Sequence, residues 1–143
     1  MSATESSLFD RYVLRPKVRP TSEIKYHYDT APGSRFVLVN QDRLPESDLY
    51  VIERRVDAAV TPEQEAYVDL HRHNCTTFYV FRGAEATPDS LQVEVQLGEE
   101  VRVVQSPCQV FIPAGLPHTL RIVRGPGSFI HVVLRGDYDS SLM

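Results

Sequence analysis

Three histidines carry the chemistry this sequence could do. His71 and His73 stand on either side of one residue in Leu70-His71-Arg72-His73-Asn74-Cys75-Thr76-Thr77-Phe78-Tyr79-Val80-Phe81-Arg82-Gly83. Along an extended chain successive side chains point to opposite faces, so both imidazoles project from the same face. Neutral imidazole is a good ligand for Zn, Fe, Ni and Cu, and two neighbouring rings form the start of a metal site. Two ligands seldom hold a first-row metal tightly, so a third is expected from another strand. His118, which ends Pro113-Ala114-Gly115-Leu116-Pro117-His118, is the candidate.

These two segments resemble the two motifs of the cupin superfamily. The first family motif has two histidines one residue apart, a glutamate a few residues on and a closing glycine; His71, His73 and Gly83 match it. The second has Pro-x-Gly, two residues and a histidine, matched by Pro113, Gly115 and His118. The sequence departs from the pattern at the glutamate. Counting back from Gly83 puts Thr76 there, counting forward from His73 puts Thr77 there, and neither is a carboxylate. Pro107 or Ser106 replaces the glycine that opens the second motif, and Ile122 stands where asparagine is common. The resemblance covers about residues 35–135. It implies an all-β fold, an antiparallel double-stranded β-helix or jelly-roll barrel, with one divalent transition metal on His71, His73 and His118. It also implies that Phe78 turns inward with Thr76.

The elements that must position these side chains are strands. Arg35 to Asn40, Leu49 to Val56, Phe78 to Gly83, Leu91 to Leu97 and Phe129 to Leu134 are rich in β-formers, and Leu91-Gln92-Val93-Glu94-Val95-Gln96-Leu97 alternates strictly. Gly98-Glu99-Glu100 and Gly125-Pro126-Gly127 read as turns. Thr61-Pro62-Glu63-Gln64 has the form of a helix start but has room for one turn at most. Tyr67 to His73 alternates, with Asp69 on the face of His71 and His73. About nine short strands with regular turns and no convincing helix predict a sandwich or double-sheet barrel over residues 35–143. Residues 1–34, with Pro16 and Pro20 among basic residues, read as an arm packed along the barrel or over a partner subunit.

Composition narrows the function. A chain of 143 residues with 42% hydrophobic and 24% charged residues is one domain with a proper core. Its net charge of −4 at pH 7 does not suit nucleic acid. No apolar run of membrane-spanning length or signal-peptide form is present, so a cytoplasmic protein is expected. Cys75 and Cys108 form no Cys-x-x-Cys pattern and indicate no disulfide scaffold.

Three neutral histidines leave a divalent metal's charge uncompensated and its coordination open, as in catalytic sites. Iron(II) would suit dioxygenase chemistry. Zinc or nickel would suit lyase, isomerase or cyclase chemistry, with a nearby group moving a proton; manganese is a further candidate metal. Candidates for that group are Glu94, if the polar face of its strand lines the barrel, His131 beside Phe129 and Val133, and Tyr79. Asp69 could orient a ligand histidine, and Cys75 is a further pocket candidate. The expected function is metal-dependent catalysis on a small polar molecule by a homodimer, with dioxygenase chemistry slightly favoured and a non-catalytic ligand-binding barrel as the competing reading.

Overall fold

The computed structural model describes residues 7–18, 33–58 and 69–143. Among the described residues, nine strands form two antiparallel sheets. They are β1 (Lys17–Val18), β2 (Gly33–Val39), β3 (Tyr50–Val56), β4 (Thr77–Gly83), β5 (Gln92–Leu97), β6 (Glu100–Gln105), β7 (Cys108–Ile112), β8 (His118–Arg124) and β9 (Gly127–Val133). The larger sheet runs β1-β2-β3-β9-β4-β7 and the smaller β6-β5-β8. This double-sheet antiparallel arrangement is a jelly roll.

The alternation read in the sequence closes the core. Val37, Ile52, Tyr79, Phe81 and Phe129 face inward from one sheet, Val93, Val95 and Ile122 from the other, and all are buried. Each such side chain contributes about 1.5–3 kcal/mol when fully buried, so the inward face fixes the register. On β5 the buried positions are Val93 and Val95, while Gln92, Glu94 and Gln96 lie on the opposite face. The β5–β6 hairpin closes through Gly98 and Glu99, with Gly98 at φ +61°, where a side chain would be strained.

Two short helices were not expected. α1 (Leu8–Tyr12) is capped by Ser7, whose hydroxyl accepts from the Asp10 amide. From α1, the guanidinium of Arg11 makes a two-pronged contact with the Glu46 carboxylate, and β1 then pairs with β2. α2 (Tyr138–Ser141) is one turn capped by Asp137. The predicted turn at Thr61-Pro62-Glu63-Gln64 and the start of the Tyr67 alternation fall outside the described residues. Among the described residues, no helix is long and apolar enough to cross a membrane.

Candidate metal centre

Backbone pairing brings the two motifs together. The His71 amide donates to the His118 carbonyl at 3.1 Å and the His118 amide to the His71 carbonyl at 2.9 Å. Residues that exchange both bonds of an antiparallel pair present neighbouring side chains on one face. Gly115, at φ +83°, donates its amide to the His73 carbonyl at 2.8 Å, tying the turn of the second motif to the other histidine of the first. The three rings gather as a result. Ring centroids are 4.6 Å apart for His71 and His118, 5.1 Å for His71 and His73, and 5.2 Å for His73 and His118. One ring nitrogen from each lies within 4.8 Å of the others, and all three residues are buried.

The outer nitrogen of each ring is spoken for. His71 Nδ1 donates to the carbonyl of Asp69 at 2.6 Å, and His118 Nδ1 donates to the carbonyl of Leu116 at 2.9 Å. A carbonyl only accepts, so both rings carry their proton on Nδ1. His73 Nδ1 contacts Ser141 Oγ at 2.7 Å, and that hydroxyl gives its single proton to the Tyr138 carbonyl. The serine can therefore only accept from His73, which fixes the same tautomer. Every Nε2 is thereby left with its lone pair on the inner side, the protonation state a metal requires.

The electrostatics agree. Burial pushes His118 down to about 4 and lowers His71 as well, so neither ring protonates near neutral pH. His118 Nε2 is buried with no hydrogen-bond partner. Buried polar atoms are almost always satisfied, so an inward lone pair beside two similar rings fits a cation. The donor set of three imidazoles suits a divalent transition metal.

Other predicted residues divide. Tyr79 and His131 face the interior, with rings stacked at 4.0 Å and 5° and the His131 ring 6.1 Å from that of His73. Glu94 does not reach the centre: it is half-buried on the outer face and takes a hydrogen bond from Arg121 at 3.1 Å. The reason is that the apolar face of β5 is the inner one. Phe78 and Thr76 do not line the interior either. Thr77, Tyr79 and Phe81 are the buried positions of β4, so the forward count from His73 holds and Thr77 stands at the missing glutamate. Asp69 contributes its backbone carbonyl, while its side chain is exposed. Cys75 sits half-buried in a bend beside the Leu134 backbone, its thiol pushed up by burial, and belongs to no candidate metal cluster among the described residues.

Three features escaped the sequence reading. Tyr138 is buried, and its hydroxyl donates to His71 Nε2 at 3.3 Å. Ser141, also buried, orients His73. Arg35 and Arg54, paired across β2 and β3, are buried as well.

No family model and no curated protein matches the sequence. The fold does match solved structures. Oxalate decarboxylase from Bacillus subtilis superposes with a TM-score of 0.54 at 17% identity, covering 88% of this chain but 31% of that one. The present chain thus spans less than a third of that protein. KdgF from a Halomonas species superposes with a TM-score of 0.52 at 15% identity, covering 84% of this chain and 94% of that one. A conserved protein of unknown function from Streptococcus pyogenes gives 0.53 at 17% identity, covering 77% and 80%. The likeness is one of fold, a double-sheet antiparallel jelly roll, and the two motif segments lie together within it.

Proposed function

We propose that this cupin is a metal-dependent enzyme acting on a small polar organic molecule, with His71, His73 and His118 holding one divalent transition metal. The observation that carries this reading is the shared tautomer: three Nδ1–H groups bonded outward leave three Nε2 lone pairs for one cation. A metal bound there would supply Lewis acidity or, as iron(II), a meeting point for substrate and dioxygen, and the dioxygenase reading is the one we favour. The chain's own groups do the rest. The carbonyls of Asp69 and Leu116 and the hydroxyl of Ser141 aim the imidazoles, and the stacked Tyr79 and His131 keep water from one wall. The absence of a carboxylate at Thr77 leaves the metal's charge for an anionic or bidentate substrate oxygen.

A redox-inert metal is the second reading. Its support is the Tyr138 hydroxyl beside His71 Nε2, a proton donor of the kind lyase or isomerase chemistry needs, and the structural neighbour oxalate decarboxylase has Mn(II) centres. We further propose a cytoplasmic homodimer; the exposed Val101 and Val103 on edge strand β6 and Phe111 on edge strand β7 support self-association.

Elemental analysis of protein purified without added metal or chelator, beside His118→Ala, tests the site, and oxygen uptake with a panel of small carboxylates, thiols and diketones tests the chemistry. Near-stoichiometric iron lost in the variant, with substrate-dependent oxygen consumption, is the expected result. Zinc, nickel or manganese with no oxygen uptake would select the second reading. Protein that binds no metal under any loading condition would overturn both.

A further inference from the structure

We propose that the phenolic oxygen of Tyr138 is a fourth protein ligand of the centre, in place of the carboxylate that the first motif lacks. This inference rests on the metal-site reading above.

Position carries it. Tyr138 Oη lies 3.3 Å from His71 Nε2, and the tyrosine ring packs against His73 with centroids 5.2 Å apart. Two donors each about 2.0–2.1 Å from a tetrahedral metal are separated by about 3.3 Å, the spacing already present here. The inner side of Tyr138 therefore offers an oxygen at ligand distance from a nitrogen whose lone pair points inward. In this structure that oxygen donates its proton to His71 Nε2. A metal on His71 Nε2 would take up the lone pair that now accepts from this oxygen and would lie beside it. The oxygen would bind as phenolate, its proton passing to the buffer.

The surrounding contacts hold this oxygen in place. The backbone carbonyl of Tyr138 accepts from Ser141 Oγ, the same hydroxyl that fixes His73. One helical turn thus presents a donor atom from its first residue and orients a histidine with its last. The turn is strapped to the motif strand. Asn74 donates its amide to the Ser141 carbonyl at 2.6 Å and its side-chain Nδ2 to the Ser140 carbonyl at 3.0 Å, and the Met143 amide donates to the Arg72 carbonyl at 3.0 Å. Tyr50, 5.5 Å away between centroids, supports the ring from the larger sheet.

The test loads metal-free wild type, Tyr138→Phe and His118→Ala with iron(III) as a spectroscopic probe, and titrates each with zinc against a chromogenic chelator. Phenolate bound to iron(III) absorbs in the visible by charge transfer. The expected result is that band in wild type, its loss in Tyr138→Phe, and zinc binding at least tenfold weaker in that variant. Metal bound by wild type and lost in His118→Ala, but with no visible band, would overturn the tyrosine ligand and leave the histidine site standing. Failure of wild type to bind either metal would overturn both. The wild-type band decides the matter even if Tyr138→Phe folds poorly.

Discussion

Tyr79 and His131 face each other across β4 and β9 as a cross-strand pair, their rings parallel within 5° and 4.0 Å apart. Each occupies the flat face of the other. Tyr79 is buried while its chain neighbour Phe78 is half-buried on the outer face. Tyr79→Ala should therefore cost about 3–5 kcal/mol of unfolding free energy. Phe78→Ala should cost clearly less, about 1 kcal/mol. Urea titrations of the two variants compare them directly, and equal losses would contradict the inward register of β4.

Ser141 has one task at the centre, to accept from His73 Nδ1. Removal of a group that orients a ligand ring costs about 10–100-fold in metal affinity. Ser141→Ala should show that loss in chelator competition while keeping its circular dichroism spectrum. Unchanged affinity would mean that packing alone aims the ring.

Thr77 Oγ1 is buried with no hydrogen-bond partner. Such a hydroxyl carries a desolvation cost that a methyl of the same shape avoids. Thr77→Val should stabilise the metal-free protein by about 1 kcal/mol, read as a higher thermal midpoint. A lower midpoint would show that the hydroxyl makes a contact of its own.

The buried imidazoles make the metal-free fold sensitive to acid. His118 is pushed from 6.5 down to about 4 by burial, and His71 shifts the same way. Below pH 6.5 the unfolded chain takes up protons that the folded chain refuses, so stability falls as pH drops toward 4 and rises with pH over that window. The His118 share is on the order of 3 kcal/mol across the window. Urea midpoints of chelator-treated protein at pH 7, 6 and 5, above most carboxylate titration, should fall in that order. A flat series would show that the rings are hydrated.

The histidine triad was legible because its signal is local: a two-residue period on extended chain and a proline-glycine turn before the third ligand. The neighbouring positions were harder. Gly83 and His73 predict opposite inward faces for β4, and the hydrophobic burial of Tyr79 and Phe81 decides for His73. Glu94 illustrates the same rule on β5, where Val93 and Val95 claim the core and the carboxylate is left to Arg121 outside. Tyr138 and Ser141 left almost no trace, because a one-turn helix has no periodicity to detect. Their only local mark is Asp137, whose side chain accepts from the Ser140 amide and starts the turn. Pairings across a barrel are likewise silent, and Arg35 beside Arg54 became visible as buried residues only once β2 met β3.

The contact between His73 and Ser141 joins positions 68 residues apart in the sequence. A zinc finger gathers its ligands from one short segment and can capture metal while the rest of the chain is loose. Here His73 is not aimed until the C-terminal turn has docked, so a metal held by the three histidines would be captured late in folding. Loading would then be a readout of the finished fold, and a destabilised variant would be deficient in metal in cells before it was visibly misfolded.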